Sequence, residues 1–493
     1  MAHITIVGLG PGSPDDLTRE AWRVIAGAEE VWLRTMHHPV VPYLPSGPDL
    51  HTFDPVYERA ETFADVYHEI VTQVLALGRR DGGVIYAVPG HPMVGEATVA
   101  RILQDARDEG VPLRVVAGLS FIEPALSALG LDALDGLQIV DALDLVGLHH
   151  PPLNPDVPAL IGQVYSRAVA SELKLVLMNQ YDDGHPTVLL DGAGTDQARV
   201  RSVPLYEIDR YEATPLTTLY VSPVPAVTSF EGFEETIAHL RAPDGCPWDR
   251  EQTHQSLRTN LLEECYEVLE AIDDDDAGAL QEELGDLLLQ IVLHAQIAVE
   301  EGAFRMTDVI AQIDAKLKRR HPHVWGGVDV DDVGEVITNW EAIKRRERAD
   351  KGTPERSLLD GIPGALPALA QATAYADRAG RIGFNRIRPH GEWVDLPGEA
   401  ARQLSALLTA LDTSLEGVSK AANGSRLLGD LMLAIADWAR CQDIDPEGAL
   451  REANRRFAER LRTLESAVLQ KGTTLSALSS AEIRRIWDDH GVA

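Results

Sequence analysis

The hydrophobic pattern of this 493-residue chain changes period near residue 223. Before that point, short apolar and β-branched runs are separated by helix-length segments: ITIVG (4–8), VIYAV (84–88), LRVVAG (113–118), LKLVLM (173–178) and LTTLYVSP (216–223). Strands spaced in this way predict an α/β region built on a largely parallel sheet. Beyond PVPAVTSFEG the periodic segments are helical, rich in Leu, Ala, Glu and Arg, with no alternating strand among them. That half is expected to be all-α. The chain is therefore read as multidomain: an α/β region over residues 1–223, a linker at 224–232, and two helical blocks, 233–355 and 356–493.

The two helical blocks read as copies of one unit. LGDLLLQIVLHAQ (284–296) is echoed by LGDLMLAIADWAR (428–440), and each is followed by a basic helix (Lys316 to Arg320; Arg455 to Arg460) and then by a tryptophan, Trp340 or Trp487. Shared order supports a repeat more strongly than the short match alone. RPHGEWVDLPGE (388–399) reads as a loop before the second copy's helices, and DDDD (273–276) as a solvated interhelical loop.

Charge narrows the class of partner. The chain holds 77 acids against 44 bases, a formal charge of −33, so duplex nucleic acid meets net repulsion and is not an expected partner. A small anion can still bind locally through a metal. Cys246, Cys265 and Cys441 are odd in number and lack disulfide or zinc spacing, which suits a reducing cytoplasm. The longest apolar stretch, Leu284 to Val299, is interrupted by Asp286, Gln290, His294 and Gln296, too polar and too short for a membrane span. MAHITIVGLG starts in a strand-like run with no basic region and cleavable apolar segment behind it; the expected location is cytoplasmic.

The helical half carries the clearest chemistry. In LLEECYEVLEAI (261–272), Glu264 and Glu267 lie three apart, and the spacing recurs at Glu283 and Asp286. On a helix each pair projects from one face, where like charges repel. The arrangement becomes favourable when a divalent cation sits between carboxylates of two facing helices, and magnesium fills its remaining positions with water and phosphate oxygens. Isolated ExxE pairs are common on solvated faces. Here Leu261, Leu262, Val268, Leu269, Leu284, Leu287 and Leu288 intervene, which predicts packed helices. Lys316 and Arg320, at i and i+4, suit two phosphate contacts from one helix face. The implied substrate is a phosphorylated small molecule.

The run LRAPDGCPWDREQTH (240–254), then Glu263, Glu264 and Glu267, then ELGD (283–286), then KLKRRHPHVW (316–325) closely resembles the MazG nucleoside triphosphate pyrophosphohydrolases. The resemblance covers about residues 230–493 and implies an all-α, dimer-forming fold that cleaves NTPs to NMP and pyrophosphate. It implies that Glu264, Glu267, Glu283 and Asp286 ligate Mg2+, and that Glu263 orients or deprotonates the attacking water. By the same resemblance Lys316 and Arg320 bind phosphate, while Trp248 and Trp340 stand where they could stack on the base, a core role being the alternative. The second copy departs from the pattern: it keeps Gly429 and Asp430, but Leu427 replaces the expected Glu, and Asp412 and Glu416 are the only acids between Glu399 and Gly429. That copy is expected to pack, dimerise or shape the substrate site rather than hold metal.

In the α/β half, VGLGPG (7–12) places Gly8, Gly10 and Gly12 between a strand and a helix, one residue short of G-x-G-x-x-G. With VIYAVPGHPMVGE (84–96), VVAGLSFIEPAL (115–126) and LYVSP (219–223), this succession resembles the tetrapyrrole methylases over roughly residues 1–223. The resemblance implies two α/β subdomains with S-adenosylmethionine in the cleft, held mostly by loop backbone. The cofactor contacts it implies are the glycine turn 8–12 together with Pro89, Gly90, His91, Met93, Ser120, Phe121 and Met178. Where the family commonly reads GDP and VPG, this chain has Gly90-His91-Pro92 and Val116-Ala117-Gly118. His91 cannot supply the same carboxylate, which separates cofactor binding from methyl transfer. The fusion of the two resembles the YabN-type proteins. Three readings stay open at this point: an NTP pyrophosphohydrolase carrying a methylase-like domain, a methyltransferase with an accessory helical half, and a nucleotide- or SAM-sensing interaction protein.

Overall fold

The computed structural model describes residues 2–350, 357, 359–381, 409, 420–470, 473–475 and 478–489. Its first sheet is wholly parallel, with order β3-β2-β4-β1-β5: β1 (Ile4–Gly8), β2 (Glu30–Leu33), β3 (Asp49–Thr52), β4 (Val84–Val88) and β5 (Leu113–Val116). All five residues of β1 are buried, as a central strand covered on both faces requires. Two apolar layers flank the sheet, one around Ile6, Ile70, Tyr86 and Ile102, the other around Val7, Ile25, Leu33 and Ala87.

The second sheet is mixed, not parallel. Its order is β6-β7-β10-β8-β9, from β6 (Gln138–Asp141), β7 (Ala159–Gly162), β8 (Pro186–Asp191), β9 (Arg199–Pro204) and β10 (Thr217–Val221). Only β6 and β7 run parallel; the other pairs are antiparallel. The two subdomains implied by the sequence are these two sheets. One expected strand is corrected: residues 173–178 lie in the helix Arg167–Leu177 and its cap at Met178. Val169, Ala170, Leu173, Val176 and Leu177 are its buried residues, a helical rather than alternating spacing, and Ser166 caps its start by accepting from the Val169 N–H at 3.2 Å.

After β10 the described chain is helical. The helices Phe230–Arg241, Pro247–Glu251, Arg258–Asp273 and Ala277–Glu300 precede Met306–Arg320, and Ile237, Leu257, Val292, Leu293 and Ile297 form their shared core. The aspartate run makes the expected turn: Asp275 adopts φ 53, and Asp276 caps the next helix, accepting from the N–H groups of Gly278 (2.9 Å) and Ala279 (3.1 Å). Packing on the outer side of this hairpin differs from expectation. Leu262, Leu269, Leu284 and Leu288 are exposed, while Leu261, Val268 and Leu287 are half-buried.

Contacts divide the chain into two compact units, Met1–Gln312 and Ile313–Ala493. The second unit contains the helices Pro322–Trp325, Val333–Asp350, Ala368–Arg381, Lys420–Cys441, Pro446–Gln470 and Ser480–Asp489. The echoed LGD motifs both fall within long helices, and each is followed by a basic helix and then a Trp-bearing one. Leu464, Val468 and Ile486 form a small core in the second unit, where the Arg460 guanidinium lies 4.3 Å from the Trp487 ring centre. The loop expected at 388–399, with Glu399, Asp412 and Glu416, lies outside the described residues.

Asp156 fastens the start of the helical half within the first unit. Its carboxylate accepts from the Thr228 N–H (2.8 Å), the Thr228 hydroxyl (2.9 Å), the Ser229 N–H (3.1 Å) and the Ser229 hydroxyl, and Ser229 in turn caps the helix Phe230–Arg241. These donors, led by the Ser229 hydroxyl and opposed by lost hydration, lower the Asp156 pKa from 3.8 to about 2. A lowered carboxyl contributes stability above its unfolded value and loses it as pH falls through the folded one. Asp156→Ala should therefore lower the thermal midpoint at neutral pH and hasten proteolytic cleavage at 224–229. The gap to the parent chain should close between about pH 4 and about pH 2. Melting curves across that range and timed digestion check both effects; an unchanged midpoint at pH 7 would count against the clamp.

Candidate functional site

The helices Arg258–Asp273 and Ala277–Glu300 pair directly through their three-residue turn. Helical spacing puts Glu264 and Glu267 on one face of the first, and Glu283 enters from the second. One oxygen from each of the three comes within 4.8 Å of the others, and this is the one such group of potential metal ligands among the described residues. Asp286, a turn beyond Glu283, stands outside that trio, although its charge acts on both Glu264 and Glu283. Glu263 is exposed on the same helix as Glu264.

The cluster opposes its own ionisation. Lost hydration, the hydrogen bond shared with Glu267 and the charges of Asp286, Glu267 and Glu283 push the Glu264 carboxyl up. Lost hydration and the charges of Glu267, Glu282, Asp286 and Glu270 do the same to Glu283. Three oxygen donors and no nitrogen or sulfur make a hard site, which fits magnesium or manganese in ligand chemistry.

Lys316 and Arg320 lie on the helix Met306–Arg320. Arg320 is engaged: its Nη2 donates to Glu347 Oε2 at 2.7 Å, while Arg319 Nε donates to Glu347 Oε1 at 2.6 Å. The two guanidiniums, led by the Arg320 hydrogen bond and opposed by lost hydration, lower Glu347 to about 2. Trp340 has Lys344 Nζ 3.6 Å from its ring centre, so one ring face is covered. Trp248 is 59% exposed on the short helix Pro247–Glu251.

In the α/β region, the glycine-bearing loops follow the carboxyl ends of three adjacent strands, β4, β1 and β5. Gly10 and Gly90 exchange backbone hydrogen bonds of 3.2 and 2.8 Å. A Cβ on Gly8 would meet the Gly90 oxygen at 2.6 Å and the Gly118 nitrogen at 2.7 Å; one on Gly118 would meet the Gly90 oxygen at 2.5 Å. Side chains are excluded because backbone touches backbone. Gly90 has φ +66, and its Cβ position opens onto space with nothing within 4 Å. Gly12, at φ +145, lies under Thr195 of the second subdomain, and Phe121 packs its ring on Gly162 at the end of β7.

The remaining expected contacts divide. Pro89, His91 and Met93 lie on the loop after β4, where His91 Nδ1 accepts from the Met93 N–H at 3.0 Å. Ser120 is buried, and its N–H and hydroxyl donate to Glu123 at 2.7 and 2.6 Å. Burial opposes ionisation of Glu123, but the Ser120 bonds, helped by the charge of His91, hold its carboxyl below the usual range. Met178 caps the helix Arg167–Leu177, where the sequence had suggested the end of a strand.

Sequence reading missed two residues beside these loops. Gln163 adopts φ 60, and its Nε2 lies 3.5 Å from the Cβ position of Gly95. His38 is buried with Nδ1 unpaired; burial lowers its pKa to about 4, although a hydrogen bond to the Gly10 backbone opposes that shift. A Gly-Gln step closing the apolar run ALIG was the available signal for Gln163; His38 had none.

Comparison with known proteins follows the same division. Residues 252–325 match the MazG nucleotide pyrophosphohydrolase domain, and residues 3–209 match the tetrapyrrole (corrin/porphyrin) methylases. The chain is 37% identical over 499 residues to the uncharacterized protein YabN of Bacillus subtilis, covering 99% of this chain and 98% of that one. It is 38% identical over 262 residues to the nucleoside triphosphate pyrophosphohydrolase/pyrophosphatase MazG of Thermotoga maritima, covering 52% of this chain and 94% of that one. Its identity to the nucleoside triphosphate pyrophosphohydrolase of Escherichia coli is 37% over 249 residues, covering 50% and 91% respectively.

The raised carboxyls set an expectation for pH. A carboxyl whose folded pKa is raised binds more proton in the native state, so stability falls as pH rises from the ordinary 4.5 through the raised value. The metal-free chain should therefore melt at higher temperature near pH 5 than near pH 7 on account of this cluster, and Glu267→Gln should flatten that difference. Added Mg2+ or Mn2+ should raise the midpoint at neutral pH and do so less in acid, because protons compete for the same oxygens. Scanning calorimetry with and without metal checks both.

Proposed function

Because the chain belongs to the YabN-like proteins, which join an N-terminal tetrapyrrole methylase domain to a C-terminal MazG pyrophosphohydrolase domain, we propose that its helical half is a magnesium-dependent hydrolase of nucleoside triphosphates, yielding NMP and pyrophosphate. The observation that carries this is the convergence of Glu264, Glu267 and Glu283 oxygens within 4.8 Å on paired helices. Under this reading the chain divides into 1–223, a linker at 224–232, a catalytic copy at 233–355 and a second copy without a ligand set at 356–493.

Glu264, Glu267 and Glu283 would hold the cation, with Asp286 completing the set. Bound there, magnesium supplies charge neutralisation for the triphosphate and acidifies or positions a water. The chain's own groups do the rest. Glu263, next to the ligands but outside them, orients or deprotonates the attacking water; Lys316 and Arg320 bind phosphate; Trp248, or the ring face of Trp340 not covered by Lys344, would stack on the base. Exposed Leu262, Ile272, Leu284 and Leu288 on the hairpin support a homodimer formed through the helical half.

For the α/β half we read an S-adenosylmethionine site at the glycine loops. The open backbone at Gly90 supports a cofactor bound mainly through main-chain groups. Methyl transfer is a separate matter, since His91 stands where the family's carboxylate is common.

Glu264→Gln and Asp286→Asn each remove a charge and nearly preserve shape, so each should abolish magnesium-dependent pyrophosphate release while leaving the fold intact. A panel of NTPs assayed for pyrophosphate with and without metal tests this; full turnover by either variant would sink the assignment. Calorimetric titration of the whole chain with S-adenosylhomocysteine should give measurable binding that does not require nucleotide. No heat and no thermal shift at millimolar ligand would leave the α/β half with the fold but without the cofactor.

A further inference from the structure

We propose that Glu347 is a positioning residue that orients the guanidinium of Arg320 toward the phosphates of the substrate. The inference rests on the reading of Arg320 as a phosphate-binding group and goes beyond it, since Glu347 has had no role so far. Glu347 belongs to the helix Val333–Asp350, and both arginines end the helix Met306–Arg320. Its Oε2 accepts from Arg320 Nη2 at 2.7 Å, and its Oε1 is shared by Arg320 Nε (3.4 Å) and Arg319 Nε (2.6 Å). The carboxylate and the Arg320 side chain are 15% and 21% exposed, whereas Arg319 is 52% exposed.

This geometry suits presentation of a guanidinium better than simple ion pairing. A guanidinium carries five N–H groups in one plane, and Glu347 takes two of those of Arg320 along a single edge. The plane and the opposite edge are thereby fixed before any phosphate arrives, so less rotamer freedom remains to be lost on binding. One carboxylate against two guanidiniums leaves a net positive charge, so the group still attracts an anion. Trp340, Lys344 and Glu347 follow at i, i+4 and i+7, which puts them on one stripe of a single helix. Seven residues correspond to about 10 Å of rise, comparable to the length of a nucleotide from base to phosphate. The stripe thus sets a ring that can stack on a base at one end and the holder of a phosphate-binding arginine at the other.

The test uses the full chain with three variants: Glu347→Gln, Arg320→Met and the double variant. Dissociation constants for inorganic pyrophosphate and for an α,β-methylene nucleoside triphosphate are measured by calorimetry in magnesium, and KM and kcat by pyrophosphate release. Loss of the orienting charge should weaken both ligands about tenfold and raise KM in parallel, with kcat within about twofold. In the Arg320→Met background, Glu347→Gln should add nothing. Unchanged binding in Glu347→Gln while Arg320→Met binds poorly would overturn the proposal, as would an equal loss in both backgrounds, which marks a role in the fold alone. Silence of Arg320→Met would instead remove the phosphate assignment, and the proposal with it; which single variant is silent tells the two failures apart. Should Glu347→Gln fail to fold, Glu347→Asp keeps the charge one methylene further back and should give a smaller loss confined to KM, with unchanged KM overturning the proposal.

Discussion

Three carboxylates sharing a space 4.8 Å across repel one another, and the helical half is arranged to hold them there nonetheless. The repulsion shows in the raised carboxyls of Glu264 and Glu283. It is opposed by interactions at some remove from the charges. The Asp276 cap and the left-handed Asp275 fix the turn between the two helices, and Ile237, Leu257, Val292 and Ile297 bury the far end of the hairpin. Under the proposed reading, a cation bound among these carboxylates would relieve a cost that folding has already met.

The α/β half solves a different problem by removing side chains. Where Gly8, Gly90 and Gly118 meet, no Cβ has room, and three loops close on one another through main-chain atoms. The parallel sheet delivers all three loops to one edge, the carboxyl edge, where open α/β folds place their ligands. One half of the chain gathers charge and the other gathers bare backbone.

The parts legible in the sequence were those fixed by local periodicity. Helical repeat alone puts Glu264 beside Glu267, and short apolar, β-branched runs marked β1, β4 and β5. What local pattern leaves undetermined was missed or misjudged. LKLVLM is as apolar as a strand, but its buried positions carry the helical period that includes Val169 and Ala170 upstream. β9 was invisible because it is an edge strand with four of six residues exposed, so it shows no alternation to read. Gln163 and Glu347 meet residues distant in sequence; the Gly-Gln step after ALIG was a faint local sign of the first, and the second had none. The outer leucines of the hairpin were expected to be covered because apolar residues on a helix usually are; within one chain they are not.

The short segment after β10 has a consequence for how the two halves are joined. A free stretch of that length would act as a tether, whose reach follows from the number of residues and whose cost is entropic. Asp156 removes that freedom by gripping Thr228 and Ser229, with Gly232 leaving room for the carboxylate. The first helix beyond the joint is therefore held by hydrogen bonds, and lengthening the segment would not loosen it gradually. Inserted residues would have to bulge outside an intact clasp or open it altogether, so the joint behaves as a latch with two states rather than as a leash.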